Sequence, residues 1–508
     1  MSQLKKLASQ SAVYGISSIL GKTINFLLIP LYTGYLDKEA LGSFTMIYAL
    51  IAFLNVVFTF GMETSYFRFA TGKGLDPIKV YQNTQTLVGL VSLTLGSLLY
   101  LGSDYLAIWF QYPGQGHLFQ WVAFILTIDA VLAIPYAKLR LEGRALAFAM
   151  IKLLNIFINV GFNLFFIVLL FHVARGEWLP EWQPLAQKLY RPDWGVDYIL
   201  LANVLANGLI LPVLLYKSGP VKWMLDKAIL RPMWRYALPL LFMGLAGVIN
   251  EVFSRGLFEY AIPEDFYPGL SKRAAGGVFG ANFKLAIFMS LIIQAFKYAA
   301  EPFFFQQAEN KNSPQLFSRV MHWFIIFCTT LMVAVSVNLD LISRVIFQGE
   351  GYELGLSMVP LLLMGYLFLG IYYNLSIWFK ITDQTKYSFY ITSLGAIVTV
   401  IIILTFVPMY GFIGAALSTF GSYFIMMVVC YLVGQRYYPI PYKVKNGLSY
   451  LAIAFMFSYM GFWIKFDSAW INFLVHNSIV IVYVMFIFLM EKKELSSLLR
   501  QAKKKLTP

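Results

Sequence analysis

Apolar runs of about twenty residues, repeated along nearly the whole chain, constrain this sequence more than any other feature in it. A helix needs about that length to cross the hydrocarbon of a bilayer, where every backbone polar group must be satisfied within the protein. Fourteen such runs can be read, near 11–35, 41–62, 83–102, 118–137, 148–172, 197–216, 236–260, 276–298, 320–342, 356–378, 388–408, 411–433, 447–465 and 471–490. Of its 508 residues, 59% are hydrophobic and 13% charged, against about 45–50% and about 25% in soluble domains. The expected fold class is therefore an all-α polytopic membrane protein with about 14 transmembrane helices.

The formal charge of +14 is distributed by topology. If the N-terminus is placed inside, the inner loops and tail hold most of the basic residues, from Lys5 and Lys6 through Lys138, Arg140 and Arg144 and the segment Lys217 to Arg235, to Lys492 through Lys505. The outer loops hold only Lys38, Arg175, Lys188, Arg191, Lys272, Arg273 and Arg344. This asymmetry is the positive-inside pattern, and it predicts both termini in the cytoplasm. It also removes the reason to expect a nucleic-acid partner. Cys328 and Cys430 fall inside spans, and His117, His172, His322 and His476 are scattered, so neither a disulfide framework nor a metal site is expected. The run after Lys6 is long, contains Lys22 and Asn25 and lacks a small-residue cleavage pattern, so it is expected to stay as the first helix.

Several spans carry charge where lipid would reject it, at a cost of roughly 2.5–3.5 kcal/mol per ion at the bilayer centre on insertion scales. Glu251, Arg255 and Glu259 are spaced i, i+4, i+8, which on one continuous helix predicts a shared face with a cation between two carboxylates. Lys22, Lys284 and Asp129 also lie within spans. Such groups either pair structurally or line a watery cavity; for Arg255, a pair with Glu251 or Glu259 is the structural alternative. Asn155, Asn159 and Asn163 repeat at i, i+4, i+8 in the fifth span, and Asn203 and Asn207 at i, i+4 in the sixth. They suit bundle hydrogen bonding or a polar lining equally well. The longest outer connection, 173–197, is rich in Trp and Pro and reads as an interfacial aromatic belt, or else as a lid.

Internal similarity suggests duplication. Ala40-Leu-Gly42-Ser-Phe44 aligns with Ala275-Gly-Gly277-Val-Phe279 at a shift of 235, and Gly195 to Ala202 resembles Gly411 to Ser418. The expected organisation is a six-helix lobe over 1–217, a basic linker over 218–235, and a second six-helix lobe in parallel repeat over 236–435. Two further helices over 436–490 and a basic tail over 491–508 complete it.

Tyr14-Gly-Ile-Ser-Ser-Ile-Leu-Gly-Lys22, Pro30-Leu-Tyr-Thr-Gly-Tyr-Leu36, Gly42, Gly61, Tyr66-Phe-Arg68-Phe, Pro239 and Pro408-Met-Tyr-Gly411-Phe-Ile-Gly414-Ala-Ala-Leu-Ser418 together resemble the polysaccharide exporters (Wzx-type flippases) of the multidrug/oligosaccharidyl-lipid/polysaccharide (MOP) transporter superfamily. The resemblance runs over nearly the whole chain and rests on glycine, proline and aromatic positions. It implies alternating access around a central cavity and the flipping of an undecaprenyl-diphosphate-linked oligosaccharide across the bacterial cytoplasmic membrane, for polysaccharide or lipopolysaccharide synthesis. Two other readings are a lipid II flippase, whose arginine-rich start and "E-G-A-F"-like stretch this chain lacks, and a cation-coupled multidrug exporter, which usually has twelve helices.

On that reading an anionic, hydrated cargo needs cations and donors in its path. Lys22, Lys284 and Arg255 are the expected diphosphate contacts, with Lys22 and Lys284 as the two sides of an anion clamp. Asn25, Asn155, Asn159, Asn250 and Asn282 are the expected polar lining for sugars. Asp129, Glu251 and Glu259 are the expected coupling carboxylates, and Glu63, Arg68, Lys297 and Glu301 a cytoplasmic gate or simply solvated helix ends. No cofactor is expected beyond coupling to H+ or Na+. Expected partners are the lipid-linked oligosaccharide, membrane lipid and a glycan polymerase or ligase, with the protein itself a monomer. An enzyme of lipid-linked glycans would need a large outer domain with catalytic Arg and His, and the longest outer loop has no His, so no enzyme is expected.

Overall fold

A computed structural model describes residues 19–21, 23–24, 26–71, 75–220, 222–307, 312–382, 384–464 and 466–506, without the side chains at 298–299, 301–302, 305–306, 469 and 493–506. The described residues are nearly all helical and contain no strand. The long helices are α1 (Lys38–Thr59), α2 (Met62–Thr71), α3 (Pro77–Leu101), α4 (Gly116–Leu141), α5 (Ala145–Leu164), α6 (Gly195–Ser218), α7 (Lys227–Gly256), α8 (Lys272–Phe283), α9 (Ile287–Gln307), α10 (Ser313–Val337), α11 (Val359–Leu375), α12 (Lys386–Tyr410), α13 (Phe412–Tyr437), α14 (Val444–Trp463) and α15 (Ala469–Leu506).

Twelve stretches built from these helices are long and apolar enough to cross a membrane. The thirteenth expected span is α14, whose 20 residues suffice in length but are diluted by Lys445, Asn446, Ser449 and Ser458. Of the first expected span, the structure describes the short helix Ile29–Tyr35 and part of what precedes it; Lys22 and Asn25 lie outside the described residues.

Local chemistry sets the helix boundaries. Asp37, Asp76 and Asp226 cap α1, α3 and α7 by accepting from the backbone N–H of Ala40, Ile78 and Ala228. The second expected span breaks between α1 and α2, where Phe60 and Gly61 take left-handed φ values of 35° and 72°. The Pro408–Ser418 motif also has a steric basis. Gly411 turns α12 into α13 with φ 53°, and a Cβ there would lie 2.2 Å from the Tyr267 hydroxyl; a Cβ on Gly414 would lie 2.2 Å from the Phe406 carbonyl oxygen. The Tyr267 hydroxyl in turn accepts from the Phe412 N–H at 2.9 Å.

Contacts gather the chain into two compact units. The first comprises residues 1–281 and 389–418. Its helices α4, α5 and α6 share a core of Leu132, Tyr136, Leu139, Phe148, Ile151, Ile210 and Leu214. The outer face of α5 leaves Leu146, Met150, Leu154, Phe157 and Leu164 exposed at helical spacing, a lipid-facing stripe opposite its asparagines.

The second unit comprises residues 282–388 and 419–508. The span Tyr352–Ile381, containing α11, is its buried centre, with 83% of its apolar window inside the protein. Helices α10, α14 and α15 are tied by a buried polar triad: Glu491 receives a hydrogen bond from the Tyr450 hydroxyl and pairs with His322 Nε2 at 2.9 Å. Glu491→Ala leaves the Tyr450 hydroxyl and His322 buried without their shared partner and is expected to cost about 3 kcal/mol. The measurement is thermal unfolding of the purified protein; Glu491→Gln, which retains an acceptor, should recover part of the loss, and an unchanged melting temperature for Glu491→Ala would overturn the assignment.

Candidate functional site

Three polar centres punctuate the first unit. The innermost is built around Asp129 on α4. Asn207 Nδ2 on α6 donates to Asp129 Oδ1 at 2.6 Å and to Asn203 Oδ1 at 2.9 Å, while Asn155 Nδ2 on α5 donates to Asn207 Oδ1 at 2.7 Å. Asn203 Nδ2 reaches the Tyr48 hydroxyl of α1 at 3.3 Å. Each bond in this chain fixes the next carboxamide, so all three are oriented around the carboxylate. Asp129 receives one hydrogen bond from the described residues, at Oδ1. Lys152 of α5 has its Nζ 5.0 Å from the centre of the Tyr136 ring. Asn159 lies one turn further along α5, where it accepts from Asn163, whose carbonyl takes the Tyr32 hydroxyl at 3.1 Å.

The second centre lies at the end that the loop charges assign to the outside. Helices α1 and α8 meet there backbone to backbone. A Cβ on Gly42 would lie 2.0 Å from the Arg273 carbonyl oxygen, and one on Gly277 would lie 2.1 Å from that of Lys38. The two contacts are reciprocal under the same shift of 235 that aligns the internal repeat, since 42 corresponds to 277 and 38 to 273. Small residues permit such close crossings in membranes. Beside the seam Glu259 is buried, accepting from the Tyr112 hydroxyl at 2.9 Å and from Arg273 Nε at 3.2 Å. The Arg273 guanidinium also donates to the Gln111 carbonyl at 2.8 Å and stacks 3.8 Å above the Tyr112 ring. Burial, reinforced by the Glu259 carboxylate, pushes the Tyr112 phenol up and keeps it a donor. Ser271 Oγ donates to Glu39 across the same seam at 2.8 Å.

The third centre is at the opposite end. Glu63 pairs with Arg140, and the Arg144 guanidinium and Lys138 Nζ bind the carbonyls of Lys217 and Ser218, at 2.8 and 2.6 Å. Arg68 lies 4.4 Å over the Tyr236 ring.

The stripe expected of Glu251, Arg255 and Glu259 does not form. Helix α7 stops at Gly256, and Glu259 belongs to a separate turn, Phe258–Ala261, which aims it at Arg273. Glu251 is exposed, and Arg255 Nη2 approaches its backbone carbonyl at 3.4 Å rather than either carboxylate. Asn250 is not cavity lining: it is buried, donating to the Thr392 carbonyl and accepting from Thr399, and so clamps α7 to α12. Asn282 is likewise fully buried and donates to the Tyr352 carbonyl at 2.7 Å. In the second unit Lys284 is half-buried at the start of a 3-10 turn, Lys284–Ala286, and Lys297 Nζ lies 4.5 Å over the Tyr373 ring. The Glu301 side chain lies outside the described residues. Arg273 is among the outer basic residues of the sequence, and Tyr112 carries no signal there. The signal for Arg273 was present, because the repeat aligns it with Lys38 beside the Gly42 and Gly277 pair. The paired spacing of Asn203 and Asn207, which suits bundle hydrogen bonding or a polar lining, places both in the Asp129 cluster.

Because a Cβ cannot occupy either crossing, Gly277→Ala is expected to part the seam. Labelling of Ser43→Cys by a membrane-impermeant thiol reagent should then rise severalfold, and equal labelling with and without Gly277→Ala would refute the closure. Arg273→Met leaves the Glu259 carboxylate buried without its cation and is expected to cost about 3 kcal/mol. Adding Glu259→Gln should restore most of that in a double-mutant cycle read by thermal unfolding; strictly additive losses would show that the two side chains are not coupled.

No family model matches the amino-acid sequence, and no curated protein matches it. Its fold does match solved structures. The lipid II flippase MurJ in an inward closed conformation aligns at TM-score 0.72 and 15% identity, over 95% of this chain and 100% of that one. An inward-facing multidrug resistance MATE transporter of the MOP superfamily aligns at TM-score 0.60 and 16% identity, over 82% and 94%. A mutant of the Vibrio cholerae MATE transporter VcmN aligns at TM-score 0.60 and 14% identity, over 86% and 98%. The chain thus has the fold shared by MOP-superfamily transporters.

Proposed function

We propose that this protein is a flippase that moves an undecaprenyl-diphosphate-linked oligosaccharide across the bacterial cytoplasmic membrane by alternating access. The observation that carries transport is the reciprocal seam at Gly42 and Gly277. Two repeat-related helices meet at one end through interchangeable contacts, and a two-fold contact of that kind can part as a unit. It corresponds to a state closed toward the outside. The Glu259, Arg273 and Tyr112 cluster is its latch, so Glu259 acts as a gate residue in place of the coupling role expected of it.

Coupling falls to Asp129. Protonation or cation binding at its second oxygen changes the charge of the carboxamide cluster, and that difference biases the access states only as far as the two states differ in affinity for the ion. Lys22, Arg255 and Lys284 are proposed as cations for the diphosphate, and Asn25, Asn155 and Asn159 as sugar contacts. The lobes are proposed at 1–217 and 236–435, both termini in the cytoplasm, the working form a monomer, and the partner a glycan polymerase or ligase that consumes the flipped unit.

A second reading, lipid II flipping, has its own support. The match to MurJ covers 95% of this chain, whereas the two MATE matches cover 82% and 86%. That difference favours a lipid flippase over a multidrug exporter and leaves the sugar headgroup to experiment. Reciprocal complementation separates the two: rescue of cells lacking an O-unit flippase, without rescue of cells lacking the lipid II flippase, is the expected outcome. The reverse pattern would install the second reading, and rescue of neither would reject both. Asp129→Asn is expected to abolish the dependence of transport on an imposed proton or sodium gradient. Retained dependence would remove Asp129 from coupling.

A further inference from the structure

Apart from Arg68, expected above at a cytoplasmic gate, the residues of the pocket between α2 and the first turns of α7 belong to none of the roles above. It has a volume of about 550 Å³ and is lined by Arg68, Phe69, Arg231, Pro232, Arg235 and Tyr236. That volume is within the range of about 300–1,000 Å³ usual for small-molecule sites. Three guanidiniums line it and no carboxylate does, and none of the three forms an ion pair among the described residues. Arg231 and Arg235 sit at i, i+4, a like-charge spacing that is unfavourable unless an anion answers it.

The walls are set independently of the arginines. Ser65 Oγ donates to the Met233 carbonyl at 3.1 Å, and the Phe60 and Trp234 rings lie 5.4 Å apart, so α2 is docked on α7. Arg68 is held over Tyr236, which itself meets the Phe69 ring at 6.2 Å. Depth is marked by Trp223 and Trp234, which are 77% and 44% exposed, an aromatic pair of the kind found at headgroup level. Guanidinium clusters recognise phosphate through paired N–H donors, and basic pockets between membrane helices on the inner side hold anionic headgroups.

The geometry points to a binding site for a lipid-borne phosphate in this pocket, with Arg68, Arg231 and Arg235 as its ligands and the ring of Tyr236 as their support. The phosphate has two sources, the phosphodiester of an anionic glycerophospholipid or the diphosphate of a polyprenyl carrier. The site goes beyond the transport reading, because it binds the phosphate whatever sugar is carried.

The test is equilibrium binding of labelled phosphatidylglycerol and of labelled undecaprenyl diphosphate to the purified full chain in phosphatidylcholine nanodiscs. The wild type is expected to bind at least one probe, and Arg231→Gln/Arg235→Gln to weaken it about tenfold or more. Salt near 1 M, where the screening length is about 3 Å, should weaken it as well. Lys222→Gln, a basic residue outside the pocket, should bind as the wild type does, and the single Arg231→Gln variant keeps the comparison open if the double variant misfolds. Loss confined to phosphatidylglycerol assigns a resident phospholipid, and loss confined to undecaprenyl diphosphate assigns a loading site for the carrier. Absence of binding by the wild type, or equal binding by wild type and arginine variants, overturns the proposal.

Discussion

The first unit depends on two helices approaching until backbone touches backbone. At Gly42 and Gly277 there is no room for a single methyl group, so the distance between α1 and α8 is set by the main chain alone. In a bilayer no hydrophobic effect drives helices together, and close packing of small residues has to supply the attraction. The reciprocity of the contact means that one substitution breaks half of a symmetric pair. The polar groups nearby follow from the same approach: Arg273 is brought to Glu259 and Tyr112, and Ser271 to Glu39, because α8 starts where α1 starts.

Buried polarity is handled differently at the three centres. At Asp129 the carboxyl group is bonded into a chain of carboxamides that orient one another. At Glu259 the carboxylate has a guanidinium and a phenol fixed on it. At the Arg68 pocket, positive charge is gathered with no carboxylate in its lining. In the second unit the His322, Tyr450 and Glu491 triad shows the same economy, holding the late helices to α10 through one buried carboxylate.

Much of the fold was legible because the information is local. Hydropathy located most of the spans, although the seventh and ninth begin seven to nine residues earlier than expected and α14 falls short of the others for reasons visible in its polar residues. Glycine and proline marked real turns: Gly411 bends the chain between α12 and α13, and Gly61 lies in the break after α1. The shift of 235 proved to be a contact register as well as an alignment. The site was only partly legible. Asp129 and Asn155 were singled out and do meet, joined by Asn203 and Asn207. Asn250 and Asn282 have the same composition signal as Asn155, yet both serve as internal clamps, because backbone carbonyls of Thr392 and Tyr352 happen to lie within reach.

By itself the sequence determined that this is a helical membrane protein, where its helices run, which end of it gathers positive charge and which residues repeat. Those properties follow from length, hydropathy and spacing, which each segment carries alone. Only the tertiary structure decided which charges meet. The face expected to join Glu251, Arg255 and Glu259 assumed a continuous helix, but α7 ends at Gly256, and the next turn carries Glu259 out of the stripe and toward Arg273 at the start of α8. An ion pair depends on where helices end and how closely their backbones pack. The first is set by local caps and turns, the second by contacts between residues far apart in the chain.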